Sequence, residues 1–374
     1  MQVRFFLICC VTLWLASCTD RSYSPIYPEA LEVGAPFTVF AATSRAQESD
    51  GTFGFRRSEQ LSLLELTVSI PPNHTPGELK FGYANPKPKT EFTLAQQTEF
   101  NSFQAFETRL TDYIQQKKAG PKEVTIFVHG YNTTQNETAF RAAQLAHDVK
   151  LPGALVLYSW PSRARAFGYA YDYDSMLFAR DGLEKLIREV KRTGAERIIL
   201  LAHSMGSALT MEMLRLVETN DPGWAKRHLG GIVLISPDLD VDVFRSQMNR
   251  IEHIPQPFVI MVSEKDKALN VSARLRGTSD SERLGNISSI DKIADLPIEI
   301  IDTTAFSSDA ASSHFVTATS PALIALLNSA RSMSDTFGPE DFGLNVAGSS
   351  VRQIANGATE IALTPGTSLA SESR

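Results

Sequence analysis

Residues 198–206, IILLAHSMG, form the most informative stretch of this chain. An apolar run leads into Ser204, which lies between the small residues Ala202 and Gly206, and a helical pattern follows. A buried strand that turns sharply into a helix needs small residues on both sides of the turn, because the backbone there is strained. The pattern predicts that the Ser204 hydroxyl protrudes at the end of a sheet. It also predicts that the Met205 N–H points to the same place.

Apolar runs of the same kind occur on both sides of this stretch. Continuous apolar runs are typical of strands buried on both faces, and their alternation with helices indicates a mostly parallel, doubly wound sheet with helices on both faces. The helical patterns cover residues 137–149, 174–192, 207–218 and 321–331. The predicted strands cover residues 37–42, 63–70, 123–129, 154–159, 197–202, 231–236, 258–262 and 298–301.

A second strand-to-loop junction lies in residues 123–132, EVTIFVHGYN. A serine on a strand-to-helix turn is the nucleophile elbow of the α/β-hydrolase fold, and in that fold the loop after another core strand supplies a second N–H beside the serine. Gly130 lets the backbone approach a substrate closely. We therefore predict Ser204 as the nucleophile, with an oxyanion hole formed by the N–H groups of Tyr131 and Met205.

The histidine of such a site must follow the nucleophile and the acid in the chain. Three histidines follow Ser204, and two of them, His228 and His253, precede predicted strands at the opposite end of the sheet. His314 follows the last predicted strand and precedes a helix, so we predict that it is the general base. His203 is adjacent to the nucleophile on the elbow and would point away from the hydroxyl, so we interpret it as a packed histidine.

Two aspartates compete for the role of the acid. Asp266 follows the predicted strand 258–262, on the loop where this fold places the residue that orients the imidazole. Asp238 follows the strand before it, 231–236, and is the alternative acid. We favour Asp266, which would hold one tautomer of His314 and stabilise the imidazolium that forms.

Taken together and in order, several motifs resemble a bacterial family of α/β hydrolases known as domain of unknown function 900. The resemblance implies hydrolase or esterase activity and leaves the substrate undefined. It extends beyond residue 269 through His314. The matching pieces are residues 41–45 (AATSR), 127–132 (FVHGYN), 159–162 (SWPS), 202–206 (AHSMG), 236–240 (SPDLD) and 262–269 (VSEKDKAL).

These residues predict a serine hydrolase that cleaves small-molecule carboxylic esters through an acyl-enzyme intermediate. A thioesterase, amidase or peptidase could use the same three side chains, because the pocket walls set the specificity. A lipoprotein that binds an envelope component without catalysis is a further alternative. Trp160, Tyr131 and Met205 either form an apolar wall of the pocket or pack in the core. Residues 162–173 are a candidate loop over the site.

Composition excludes other classes of function. The formal net charge of the 374 residues is −6, and Lys and Arg are scattered, so we expect no nucleic-acid partner. No His or carboxylate cluster has the spacing of metal ligands, and we expect no metal or cofactor. The three cysteines all lie within the first eighteen residues, which excludes a disulfide framework in the body of the chain.

The N-terminus predicts export and lipidation. Residues 1–17 have a basic start and an apolar run that is short for a membrane span, and the run ends at Leu-Ala-Ser before Cys18. This resembles the bacterial lipobox, so Cys18 is the expected lipidation site, with anchorage in the cell envelope. Thr19 in place of an aspartate favours the outer membrane, at its periplasmic face.

The rest of the chain divides into a tether, a single domain and a tail. Residues 18–36 have no periodicity and form the lipidated tether, and residues 37–331 form the hydrolase domain. Residues 332–374 are rich in Gly, Ser and Thr and read as a flexible tail. Within it Val351, Ile354, Ala358 and Ile361 have the spacing of one short amphipathic helix. Whether residues 37–120 form a sheet edge or a lid stays open.

Overall fold

A computed structural model describes residues 21, 23–117, 122–277, 283–286, 290–306, 315–325, 327, 350–354 and 358–362. The strands within these residues join into one sheet. They are β1 (Ala35–Gln47), β2 (Phe53–Ile70), β3 (Thr93–Phe100), β4 (Glu123–Val128), β5 (Ala154–Ser159), β6 (Arg197–His203), β7 (Gly231–Ile235), β8 (Phe258–Val262), β9 (Glu299–Asp302), β10 (Ser350–Ile354) and β11 (Ala358–Ala362).

Helices connect most of these strands. The α-helices are α1 (Phe103–Gln116), α2 (Gln135–Asp148), α3 (Tyr169–Phe178), α4 (Arg180–Arg192), α5 (Met205–Asn220), α6 (Trp224–His228), α7 (Val241–Met248), α8 (Lys267–Leu275) and α9 (Val316–Thr319). Short 3-10 turns cover Pro28–Glu32, Ala166–Gly168, Leu284–Asn286, Ile290–Ile293 and Thr304–Phe306. No helix in the described ranges combines the length and the apolar character that a membrane crossing requires.

The strand order is β10-β11-β9-β8-β7-β6-β4-β5-β1-β2-β3. All pairings from β11 across to β1 are parallel, and only the outer pairs β10–β11, β1–β2 and β2–β3 are antiparallel. The predicted α/β-hydrolase architecture, a mostly parallel sheet with helices on both faces, is confirmed.

The chain reverses its direction of travel across the sheet at β4. From β4 it moves to β5 on one side, and it then returns to place β6 on the other side of β4. The loops after β4 and β6 therefore diverge at the carboxyl edge of the sheet. In open parallel sheets such a reversal opens a crevice between neighbouring loops, and ligands bind there.

Alternating side chains of the central strands divide the core in two. Val124, Ile126 and Val128 of β4 pack into a cluster with the buried faces of α4 and α5. Phe127 points to the opposite side and packs with α2. Both faces of the strand are buried, which explains its continuous apolar sequence.

Within residues 37–117, β1, β2 and β3 form one edge of the sheet. β1 pairs in parallel with β5, and β2 and β3 continue the sheet outward with antiparallel pairing. Sequence patterning found only part of β2, because the outer half of that strand carries exposed polar side chains. It also found only part of β1 and missed β3 and α1. The predicted helix 174–192 is two helices that meet at Ala179, whose carbonyl also accepts from the Tyr158 hydroxyl at 2.6 Å.

The expectation of a helix in the tail is wrong. Residues 350–354 and 358–362 are strands, and β11 pairs in parallel with β9, so that β9 is not the last strand of the sheet. Ile361 is buried against the sheet. The overlooked sequence signals are the β-branched residues of both segments and the dipeptide Asn356–Gly357 between them, which favours hairpin turns.

Candidate active site

Ser204 occupies a strained turn between β6 and α5. Its backbone angles are φ 53° and ψ −123°, a combination that residues with a side chain rarely adopt. The Ser204 N–H donates to the Ile235 carbonyl at 3.0 Å, and the Ser204 carbonyl accepts from the Asp238 N–H at 3.2 Å. These bonds to the end of β7 stabilise the turn and fix Ser204 at the carboxyl edge of the sheet.

Two glycines let the loops around Ser204 approach each other. A Cβ on Gly206 would meet the carbonyl oxygens of His129 and Val128, the latter at 2.6 Å. A Cβ on Gly130 would lie 3.0 Å from the Ser204 Cβ. The start of α5 and the loop after β4 are therefore packed backbone to backbone, and a larger side chain at either position would separate them.

The two predicted oxyanion donors belong to these packed segments. Met205 is the first residue of α5, so its N–H has no acceptor in a preceding helical turn and lies at the positive end of the helix dipole. Tyr131 follows Gly130 on the loop after β4, and its half-buried ring packs edge-on against Tyr169, with ring centroids 5.5 Å apart. Both residues therefore lie on segments that flank the Ser204 turn.

Buried His129 and Trp160 stabilise the loop that carries Tyr131. The Trp160 indole Nε1–H donates to the His129 carbonyl at 2.8 Å, and the two rings stack with centroids 4.8 Å apart. Burial, together with the nearby Arg45 charge, lowers the pKa of His129 to about 3, so this imidazole is neutral at physiological pH. It is a structural histidine of the loop and cannot carry a proton in turnover near pH 7.

A buried arginine connects β1 with the same loop. The Arg45 guanidinium donates to the Ser159 Oγ and to the carbonyls of Gly54, Ser162 and Thr133 at 2.9 to 3.1 Å. Burial lowers its pKa to about 10, which still leaves it charged at neutral pH. Sequence reasoning noted this arginine only within the motif AATSR. The sequence signal for this role was the position of Arg45, a charged residue directly after an apolar strand pattern.

Asp172 supplies the opposite charge under the loop. Its carboxylate accepts from the Ser162 hydroxyl at 2.6 Å, from the Asn132 N–H at 3.2 Å and from the Arg163 N–H at 2.5 Å. Burial raises its pKa from the ordinary range. Asp172 was not predicted from the sequence as a residue of the site. It joins the loop after β4 to the segment after β5.

His203 is a packed residue, as predicted. Its ring stacks on Phe315, with centroids 4.0 Å apart and an interplanar angle of 16°. The predicted base, His314, and the predicted lipidation site, Cys18, lie outside the described residues. Phe315 is the chain neighbour of His314, and His203 is the chain neighbour of Ser204.

The two candidate acids have different surroundings. Asp266 is buried after β8 and caps α8 through Oδ1, which accepts from the N–H groups of Ala268 and Leu269. Asp238 is buried after β7, where its two oxygens accept from the hydroxyls of Tyr169 and Ser272 at 2.7 and 2.6 Å. It belongs to a hydrogen-bonded network that joins the segment after β5 to α8.

A family match accompanies this geometry. The family model described as an α/β hydrolase of unknown function (DUF900) matches residues 102–331, more than half of the chain. The chain belongs to this α/β-hydrolase family. The match covers the elbow, the loop after β4, both candidate acids and His314.

Solved structures of similar proteins include several esterases. A thermostable esterase from Pseudomonas putida is 10% identical, with 80% of this chain and 84% of that chain covered and a TM-score of 0.33. An esterase from the archaeon Pyrobaculum calidifontis is 11% identical, with 62% and 92% covered and a TM-score of 0.29. A YdeN-like hydrolase from Pectobacterium atrosepticum is 13% identical, with 62% and 99% covered and a TM-score of 0.29. No functionally curated protein matched.

A cavity of about 390 Å³ lies beside the elbow of this DUF900 hydrolase. The loop after β4 and the ring of His203 form one wall, and aromatic and aliphatic side chains form another. Two arginines and a glutamate give it a charged side. The lining residues are Arg21, Leu79, Phe81, Tyr83, Phe127, His129, Gly130, Tyr131, Asn132, Thr133, Glu137, Thr138, Arg141, His203 and Phe315.

The three residues considered for an apolar wall of the hydrolase site behave differently. Trp160 and Met205 are fully buried and pack in the core, whereas Tyr131 is partly exposed and lines the cavity. The predicted loop 162–173 is shorter than expected, because α3 begins at Tyr169. In the part of the chain that the structure describes, no group of three or more His, Cys, Asp or Glu side chains is arranged to hold a metal ion.

Proposed function

We propose that this protein is a serine hydrolase that cleaves carboxylic esters through an acyl-enzyme. Ser204 attacks the ester carbonyl, and His314 accepts the Ser204 proton and returns it to the leaving alcohol. Asp266 orients His314 and stabilises its imidazolium form. The N–H groups of Tyr131 and Met205 stabilise the oxyanion, and water activated by the same histidine releases the acid.

The stack of His203 on Phe315 is the observation that carries this proposal. The residues proposed to exchange a proton, Ser204 and His314, are the chain neighbours of these two rings, whose centroids are 4.0 Å apart. Consecutive Cα atoms are separated by only 3.8 Å. The contact between the rings therefore joins the elbow to Phe315, the described residue that follows His314 in the chain.

Asp266 is the better acid of the two candidates. Asp266 lies on the loop after β8, where this fold places the acid, and its Oδ1 caps α8. Both oxygens of Asp238 accept from hydroxyls, and the guanidinium Nε of buried Arg283 lies 3.4 Å from its Oδ1. An acid already bound on both oxygens has less capacity to orient a histidine.

Activity on p-nitrophenyl esters and labelling by a fluorophosphonate test the proposal. We expect Ser204→Ala to abolish labelling and to lower kcat by several orders of magnitude, on the order of a millionfold as in another serine triad. Ser207→Ala is the matched control, because Ser207 lies on the same helix and its hydroxyl donates to the Ala202 carbonyl. Equal hydrolysis by Ser204→Ala and the parent protein would exclude the mechanism.

A second experiment determines which kind of bond the protein cleaves. An ester, a thioester and an amide with the same acyl group separate an esterase from a thioesterase or an amidase, because the three share the triad and differ in the leaving group. We expect the highest kcat/KM for the ester. Absence of labelling of a folded protein would favour a lipoprotein that binds an envelope component without catalysis.

We also propose that the mature protein is anchored in the bacterial cell envelope by lipid on Cys18, with Thr19 favouring the outer membrane. The support is the motif Leu-Ala-Ser-Cys at residues 15–18, directly after an apolar run. Incorporation of labelled palmitate into the parent protein and its loss in Cys18→Ser tests this anchor. Label retained by Cys18→Ser would contradict it.

A further inference from the structure

Arg21 attaches the N-terminal segment to the loop that carries Tyr131. Its guanidinium donates to both oxygens of Glu137 at 2.9 and 2.8 Å. It also donates to the side-chain and backbone oxygens of Asn132, both at 3.0 Å, and to the Ala164 carbonyl at 2.8 Å. Five hydrogen bonds, two of them to a nearly buried carboxylate, hold Arg21 against the domain.

This attachment limits how far a lipid on Cys18 can be from the active site. Cys18 precedes Arg21 by three residues, and three residues of extended chain span at most about 11 Å. Arg21 itself lines the cavity beside the elbow, together with Gly130 and His203. A lipid on Cys18 would therefore hold this side of the domain against the bilayer.

An aromatic and basic surface lies on the same side. Phe167 is 101% exposed, and it follows Ala166, whose carbonyl accepts from the Tyr131 hydroxyl at 3.4 Å. Exposed Arg165 flanks it, and Arg163 lies over the Phe55 ring at 4.2 Å. A single exposed phenylalanine is ordinary on a protein surface, whereas a group of exposed aromatic side chains marks an interaction site.

The residues next to this loop extend the surface. Phe55 is 38% exposed and Tyr173 is 36% exposed, and the guanidinium of Arg276 lies 4.5 Å from the Tyr173 ring centre. We call Phe55, Phe167 and Tyr173, together with Arg163 and Arg165, the aromatic rim. Aromatic side chains mixed with arginines suit the interface between lipid acyl chains and anionic headgroups.

We propose that the aromatic rim docks on the surface of a bilayer that contains anionic lipids, with Phe167 inserted below the headgroups. Arg163 and Arg165 face the lipid phosphates, so the entrance beside Tyr131 opens toward the membrane. The inference rests on the anchor proposed at Cys18 and deepens the proposed function, because esters of membrane lipids then become the substrates within reach.

Fluorescence at residue 167 tests the docking. Lipidated full-length Phe167→Cys is labelled with a nitrobenzoxadiazole dye and reconstituted into vesicles of phosphatidylethanolamine and phosphatidylglycerol. Lys226→Cys is the matched control, because exposed Lys226 lies on α6, which precedes β7 at the opposite end of the sheet. We expect a severalfold rise in emission, a blue shift and quenching by bromine-labelled lipids at residue 167 and none of these at residue 226.

A water-like signal at residue 167 in these vesicles would overturn the proposal and leave a protein partner as the occupant of the rim. As a second measurement, Arg165→Glu should reduce the signal of the residue-167 probe more than Lys226→Glu does, and equal effects would count against headgroup contact. The fluorescence needs no turnover, so its failure is distinguishable from failure of the Ser204 mechanism. Palmitate incorporation reports on the anchor independently.

Discussion

The backbone N–H of Trp160 donates to Nε2 of His129 at 3.0 Å, while the Trp160 indole donates back to the His129 carbonyl at 2.8 Å. The 2.6 Å contact between His129 Nδ1 and the Gly130 carbonyl places the imidazole proton on Nδ1, which leaves Nε2 free to accept. These bonds connect the end of β5 to the loop after β4. The position of the Tyr131 N–H therefore depends on a neutral His129.

Stability should fall at acidic pH because of this histidine. The pKa of His129 is about 3 in the fold, below its value of about 6.5 in an unfolded chain, so the unfolded state binds the proton more readily. The contribution is complete above pH 6.5 and is lost as the pH falls toward 3. Between pH 7.5 and pH 5.0 the loss is on the order of 2 kcal/mol.

Urea unfolding of the parent protein and of His129→Gln at these two pH values measures this loss. We expect His129→Gln to be less stable at pH 7.5 but to lose less stability on acidification. His253→Gln, which alters an exposed histidine, is the control and should keep the parent pH dependence. The same pH dependence in His129→Gln and the parent would show that another group is responsible.

Gly206→Ala should disrupt the oxyanion hole. The new Cβ would meet the carbonyls of Val128 and His129 and push α5 away from the loop after β4. Displacement of the Met205 N–H corresponds to the loss of one oxyanion donor, so kcat should fall by about 100-fold or more. Gly230→Ala is the control, since the nearest atoms to its Cβ would be those of Arg197, at 3.2 Å or beyond. Parent-like kcat in folded Gly206→Ala would argue against the assigned donor.

The two aspartates should differ in what they contribute. Asp266→Asn should lower kcat on the order of ten thousandfold while the protein stays folded, because an amide favours the wrong tautomer of the histidine. Asp238→Asn should retain kcat within about tenfold but unfold at lower urea, since it weakens a buried network that includes Tyr169 and Ser272. Steady-state kinetics and urea titration of both variants make the comparison, and the reverse pattern would assign the acid to Asp238.

Arg45→Lys should destabilise the fold although the charge is conserved. An ammonium has three donors at one point and cannot reach the oxygens of Gly54, Thr133, Ser159 and Ser162 together. Buried acceptors left without donors should cost about 3 kcal/mol in total. Urea unfolding measures the change, with the exposed Arg56→Lys as the control, and a change as small as that of the control would contradict the role given to Arg45.

Local sequence was sufficient for the elbow, for the parallel strands around it and for the fold class. The turn at Ser204 itself requires small residues beside the serine. Apolar runs such as β4 are buried whichever strands pair with them. These features depend on residues close together in the chain, so a pattern can reveal them.

Features that join distant segments could be recognised only in the tertiary structure. Three contacts of this kind join residues from separate elements. They are the stack of His203 on Phe315, the hydrogen bonds of Arg45 to its four acceptors and the attachment of Arg21 to Asn132. No sequence periodicity reveals such contacts, because they arise from the order and twist of the strands rather than from local conformational preference. For the same reason the role of Asp172, which lies in the stretch 162–173 predicted as a loop, could be recognised only once the fold placed it beside Ser162.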